Sequence, residues 1–238
     1  MKRTVLIICT ILFINNGLFA QKYEPVTVKA GTSLKDYFPM AERYLYPNFT
    51  EGKGYFKSGR SIPLLLNLNV LSGEIEFLQS KDTLIIAKKE EINSIVVAKD
   101  TFYYQDAYLQ KIRNGPVSVY LRRKLVIKDI RKQGGMGPEN RSSSVDSYSS
   151  LLYNYGKLSV NLVIAEDMVV QKTLEYFFST DGNEFVPFIR KNIFRVVPRK
   201  ENEIKYYIKT HDIDFQAGDD LLKLADFVSN LLSKSSKK

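Results

Sequence analysis

Across residues 52–130 apolar side chains recur at every second position, in short runs separated by turn-forming pairs. Within residues 64–78, Leu66, Leu68 and Val70 alternate with Asn67 and Asn69, and then Ile75 and Phe77 alternate with Glu74 and Glu76. A period of two sends successive side chains to opposite faces, which is the geometry of a strand. Ser72-Gly73 divides the two runs, and glycine tolerates the positive φ of a tight turn. The pair therefore reads as a hairpin with one buried and one wet face.

The same reading extends along the chain. Residues 54–56 pair with 61–66 across Ser58-Gly59, and Lys81-Asp82 precedes a β-branched run at 83–87. Residues 94–98 and 101–104 flank Lys99-Asp100 as a two-residue hairpin loop. Residues 117–121 and 125–130 close the series after Asn114-Gly115-Pro116. At least seven strands at this spacing predict an antiparallel meander, folded as a sheet, a sandwich or a small barrel.

Before this region, Ser33 caps a helix over residues 34–45 that Pro39 interrupts. After it, residues 131–150 carry Gly134, Gly135, Gly137, Pro138 and six serines, the composition of a flexible loop. Residues 151–155, 157–165 and 169–178 return to strand character, and Thr180-Asp181-Gly182-Asn183 forms a turn. The period then becomes helical. Phe188, Ile189, Ile193, Phe194 and Val197 make one stripe, and Ile204, Tyr207 and Ile208 a second. Leu221, Leu224, Ala225, Val228, Leu231 and Leu232 make a third, opened by Asp219 and Asp220 at the positive end of the helix. Amphipathic helices need an apolar partner, and the meander is available. The predicted class is α+β, with an antiparallel β meander covered by C-terminal helices. The segments are a leader at 1–20, the meander at 21–130, a loop at 131–150, and strands followed by helices at 151–238.

The first 20 residues have Lys2 and Arg3, an apolar run and Leu18-Phe19-Ala20, which is the pattern of a cleaved secretory signal. Cys9 is the only cysteine, so the processed chain has neither a disulfide nor a thiol nucleophile. Losing Lys2 and Arg3 lowers the net charge from +9 to +7. The 44% hydrophobic content suffices for a substantial core. The expected location is the periplasm, the outer membrane or the extracellular space. Nucleic acid is not an expected partner for an exported chain.

Two blocks, residues 46–104 (YPNFTEGKGYFKSG through DTFYY) and 173–228 (TLEYFFSTDGNEFVPFIRKN through LADFV), resemble a broad set of uncharacterised secreted proteins from Bacteroidota. The resemblance implies a signal peptide, a strand-rich half and a helical tail. It implies no activity, cofactor or catalytic residue.

Reactive constellations are sparse. His211, the single histidine, stands with Asp212, Asp214, Asp219 and Asp220, but the spacing fails as a calcium loop and reads as a cap for the last helix. No Gly-x-Ser-x-Gly occurs, and Gly134-Gly135-Met136-Gly137 lacks the Lys-Ser/Thr of a phosphate loop. Glu74 and Glu76 read as solvated on the wet face. Arg122, Arg123, Lys124, Lys128, Arg131 and Lys132 form the one candidate site, either an anion-binding edge or charge that protects a sheet edge from aggregation. Tyr103, Tyr104, Tyr108, Tyr153 and Tyr155 can line a ligand groove or rim the core. No catalytic, cofactor or metal residue is assigned.

These features lead to an exported, non-enzymatic envelope protein, a binding or structural module. Its partners are expected among anionic envelope glycans, lipids or another envelope protein. The alternatives are a carboxylate-dependent hydrolase of envelope or dietary glycans, and a carrier for a lipid or anionic glycan.

Overall fold

The computed structural model describes residues 23–131, 153–154, 157–158, 163–196 and 198–235. Among these residues there are thirteen strands, with two short helices between the first and second strands and three helices after the last. The strands are β1 (Val26–Val28), β2 (Thr50–Phe56), β3 (Ser61–Asn69), β4 (Glu74–Gln79), β5 (Asp82–Ile85), β6 (Ile92–Val97), β7 (Asp100–Gln105), β8 (Ala107–Arg113), β9 (Ser118–Arg131), β10 (Tyr153–Asn154), β11 (Lys157–Leu158), β12 (Asp167–Ser179) and β13 (Val186–Pro187). The helices are α1 (Leu34–Tyr37), α2 (Met40–Arg43), α3 (Arg190–Val196), α4 (Glu201–Thr210) and α5 (Gly218–Ser235).

Eleven strands form one open antiparallel sheet in the order β1-β12-β9-β8-β7-β6-β2-β3-β4-β5, with β13 also on β12. β10 and β11 form a separate two-stranded ribbon. The expected α+β meander is therefore present, as a sheet that does not close. The meander proper runs β6-β7-β8-β9 between near neighbours in sequence, whereas β12 and β1 join from opposite ends of the chain.

Several boundaries differ from the sequence reading, each for a local reason. Residues 117–121 and 125–130 are not two strands. The basic triplet continues the period of two, so β9 runs uninterrupted through it. β8 was not anticipated, because Gln110, Lys111 and Arg113 dilute its apolar alternation. The β6–β7 turn is Ala98-Lys99, with Ala98 at φ +51° and Val97 opposite Asp100, one residue earlier than read. Pro39 splits the first helix into α1 and α2, and Ser33 Oγ accepts from the Asp36 N–H at 3.1 Å as a cap. Pro187 belongs to β13, and α3 begins at Arg190, after Phe188 and Ile189 of the first helical stripe. The 132–150 segment lies outside the described residues.

The wet face expected for β3 and β4 is covered. Residues 44–48 cross it, and the amides that mark it become hydrogen-bonding anchors. Asn67 is fully buried, donating to the Tyr46 and Asn48 carbonyls at 2.8 and 3.1 Å and accepting from the Tyr46 N–H at 3.1 Å. Its opposite face, with Leu66, Leu68, Ile75, Ile95, Val97 and Phe102, forms the meander core.

The C-terminal helices pack on one end of the sheet. Leu221, Leu224, Ala225 and Val228 of α5 are fully buried with Ile193, Ile204, Val117, Val119 and Phe178. Ser229 fixes α5 to the start of β9. Its Oγ accepts from the Val117 N–H at 3.1 Å and donates to the Ala225 carbonyl at 2.7 Å. At the other end of β9, the β1–α1 segment buries Val28, Leu34 and Phe38 over Leu125, Ile127 and Val170. The β3–β4 turn also reaches β9, where the Leu125 N–H donates to the Leu71 carbonyl at 3.3 Å.

Candidate functional site

Because β9 passes straight through Arg122-Arg123-Lys124, alternation divides the candidate anion cluster between two faces. Arg122 and Lys124 share one face with Glu175 of β12, which sits opposite Arg122 in register. Arg122 Nε donates to Glu175 Oε2 at 2.7 Å, its Nη2 reaches the same oxygen, and Lys124 Nζ lies 2.6 Å from Oε1. Burial raises the Glu175 pKa, but these hydrogen bonds and charges outweigh it and hold the carboxyl below its usual range. These two cations are thus already engaged. Lys128 is exposed, Arg131 ends β9 opposite Asp167, and Lys132 lies outside the described residues. Arg122 and Lys124 stand on one face of β9 and Arg123 on the other. β12 pairs with β9 along its length, whereas β8 reaches only Val119 to Leu121, so from Arg122 to Lys128 β9 has one described strand neighbour.

Arg123 is different. It points to the face whose two ends are covered by helices at Val117 and Val119 and by the β1–α1 segment at Leu125 and Ile127. It therefore occupies the interval between two covers. Its Nη1 donates to Oε1 of Gln110, itself only 8% exposed. Among the described residues it forms no ion pair. Burial pushes its pKa down, while Tyr23, Asp100, Tyr176 and Tyr46 pull it back. An arginine remains charged under such a shift. The nearby Asp100 accepts from the Tyr46 hydroxyl at 2.5 Å.

Arg123 lines a cavity of about 480 Å³. Lys172 and Leu174 of β12 continue its floor, and Tyr23, Phe38, Tyr44 and Val70 contribute its aromatic and apolar surface. Lys172 Nζ is 3.0 Å from Glu42 and lies over the Phe38 ring at 4.9 Å. The Tyr44 hydroxyl donates to Glu76 at 2.5 Å, and burial is the first reason its pKa is raised. A second cavity, of about 740 Å³, follows β12 from Gln171 to Phe177 and reaches Phe215. The two share Tyr23, Lys172, Thr173 and Leu174. The arrangement offers one withdrawn guanidinium inside an aromatic-walled recess, suited to fork-like hydrogen bonding of a carboxylate or phosphate.

The other sequence candidates have structural occupations. Glu74 is buried and ion-paired with Lys89, whose Nζ lies over the Tyr104 and Tyr108 rings at 5.3 and 5.8 Å. Glu76 accepts from Tyr44 and from Asn69, the latter at 2.9 Å. Tyr103 packs edge-on against Tyr120 at 5.7 Å. Among the described residues, Tyr103, Tyr104 and Tyr108 do not border the Arg123 recess, and Tyr23 and Tyr44 do. Their sequence context, near the start of the chain and beside a broken helix, holds no periodic signal. His211 stacks on Tyr207, which stacks on Phe227, at centroid distances of 4.0 and 4.1 Å. Asp220 accepts from the Asp214 N–H and pairs with Lys223. Among the described residues no group of three or more His, Cys, Asp or Glu is placed to hold a metal ion. No helix among them is long and apolar enough to cross a membrane.

No family model, curated protein or solved structure matches this chain.

Proposed function

We propose that this chain is an exported, non-enzymatic binding module whose ligand presents an anionic group to Arg123 and apolar surface to the recess around it. One observation carries the reading: a largely buried guanidinium, without an ion-pair partner among the described residues, faces an open cavity. Withdrawing a charge from water costs several kcal/mol unless partners replace the solvent, and Gln110 supplies a single neutral one. A bound carboxylate or phosphate completes the set. Perturbed groups of this kind concentrate at functional sites. Export is supported by the character of residues 1–20.

Thermal unfolding tests the reading. Wild-type and Arg123→Met chains, residues 21–238, are compared at constant ionic strength in chloride, phosphate, citrate and decanoate. A ligand selective for the folded state raises the midpoint by mass action. At least one of the three anions is expected to raise the wild-type midpoint above its value in chloride and to lose most of that effect in Arg123→Met. Equal responses of the two chains to every anion would overturn the proposal.

A further inference from the structure

The outer surface of α3 and α4 carries an excess of positive charge. Residues 190–209 hold seven Arg and Lys against two Glu, a net +5 in a chain whose total is +9. Ile193, Ile204 and Ile208 turn inward to the C-terminal core, so helical periodicity leaves the charged positions outside. Both glutamates are engaged: Glu201 lies 2.7 Å from Lys205, and Glu203 pairs with Lys200. Arg190, Lys191, Arg195, Arg199 and Lys209 are exposed. Among the described residues none of these five has an ion-pair partner.

Part of this charge rims a groove. A cavity of about 470 Å³ lies between Arg190 and Phe194 of α3 and Lys205, Ile208 and Lys209 of α4, with Asp212 and Ile213 at its end. Its floor is apolar. Ile208 and Ile213 are buried, and Phe194 packs against the same core. Its rim is cationic, and Asp212 is the one carboxylate that borders it. Lys205 Nζ stands over the Phe194 ring at 5.5 Å, and the Arg190 guanidinium over the Phe215 ring at 5.7 Å. Lys191 and Arg195 follow Arg190 and Phe194 by one residue around α3, which sets them beside the groove on the exposed side.

Cations above an apolar floor call for an amphiphile. A soluble polyanion, such as an acidic polysaccharide, matches the rim but has nothing apolar to place against Phe194, Ile208 and Ile213. An anionic lipid matches both. Lys and Arg suit a lipid interface because their stems are apolar and their heads stay in water. Each one held near an anionic membrane surface adds to the attraction, and apolar contact adds to it further.

We infer that the α3–α4 face docks on an anionic lipid surface, with the phosphate of one lipid between Arg190, Lys205 and Lys209 and its apolar part in the groove. Lys191, Arg195 and Arg199 meet neighbouring headgroups. This site shares no lining residue with the Arg123 recess and goes beyond the anion binding proposed there.

The test is vesicle flotation with residues 21–238. The vesicles are phosphatidylcholine alone, or phosphatidylcholine and phosphatidylglycerol in equal amounts. Wild type is expected to partition onto the mixed vesicles at least tenfold better than onto phosphatidylcholine, and to lose that preference in high salt. Arg190→Gln/Lys209→Gln is expected to lower the partition at least tenfold. Lys57→Gln/Lys99→Gln removes the same charge from exposed turns of the sheet and is expected to lower it less than threefold. Equal losses in the two variants would mean undirected charge attraction and would overturn the inference, as would equal wild-type binding to both vesicles. Displacement of wild type from the mixed vesicles by millimolar glycerol phosphate would assign the groove to a soluble phosphate and overturn it as well. The altered side chains are exposed, so circular dichroism and the unfolding midpoint of both variants should match wild type.

Discussion

Replacing Arg123 with methionine and Gln110 with leucine in one chain removes a withdrawn charge together with the buried amide bonded to it. Both positions lie on the inner part of the sheet, and Gln110 is only 8% exposed. Replacing a buried ion pair by apolar residues of similar volume is often neutral or stabilising by about 1–4 kcal/mol, and the same relief of desolvation applies to this guanidinium. The Arg123→Met change alone leaves the Gln110 oxygen without its donor, a cost of about 1–3 kcal/mol, so the single variant should be near neutral. The double variant should be more stable than wild type by about 1–3 kcal/mol. For a chain of this size each kcal/mol moves the midpoint by about 2–4 °C, so the expected rise is several degrees. Asp100 retains its hydrogen bond from Tyr46 in both variants. Urea unfolding followed by far-ultraviolet circular dichroism reads the difference. A double variant less stable than wild type by more than about 1 kcal/mol would mean that Arg123 is part of the scaffold and not a group held for a ligand. Gained stability alongside lost anion response would be the exchange expected when a site is held at the expense of the fold.

Two further predictions concern the supports of the site. Ser229→Ala leaves the buried Val117 N–H without its acceptor and should lower stability by about 1–3 kcal/mol, measured by the same unfolding assay. Glu175→Gln tests the paired face of β9. The folded carboxyl lies below its ordinary value of 4.5, so its contribution is present above that pH and is lost as the pH falls through the folded value. Wild type should exceed Glu175→Gln by about 1 kcal/mol at pH 7, after screening of this partly exposed pair. The gap should vanish in strong acid, and a gap that instead grows toward low pH would refute the assignment.

The strands were legible in the sequence wherever one face was apolar and the next residue polar, as in β3, β4, β6 and β7. α5 was legible because a stripe of Leu and Val recurs at helical spacing, and Leu221, Val228 and Leu231 are indeed buried. What escaped were features set by distant pairing. Asn67 reads as a solvated amide until residues 44–48 are known to cross it. Arg122, Arg123 and Lys124 read as one patch until β9 is known to run through them. That Lys172 and Leu174 border Arg123 depends on the register between β9 and β12, across a connection of more than thirty residues. No local period encodes that register. The split of the triplet was nevertheless recoverable, since any strand sends neighbouring residues to opposite sides.

The placement of β1 against β12 has a kinetic corollary. Lys29 and Asp167 meet at 2.7 Å although 138 residues separate them. Closing so long a loop is entropically costly, and rates fall as contacts become less local. The first strand to leave the ribosome has no lateral partner until β12 is made, so it should dock late, after β6 to β9 have zipped through adjacent hairpins. Pulse-labelling hydrogen exchange would then find the amides of Val26 to Val28 protected last.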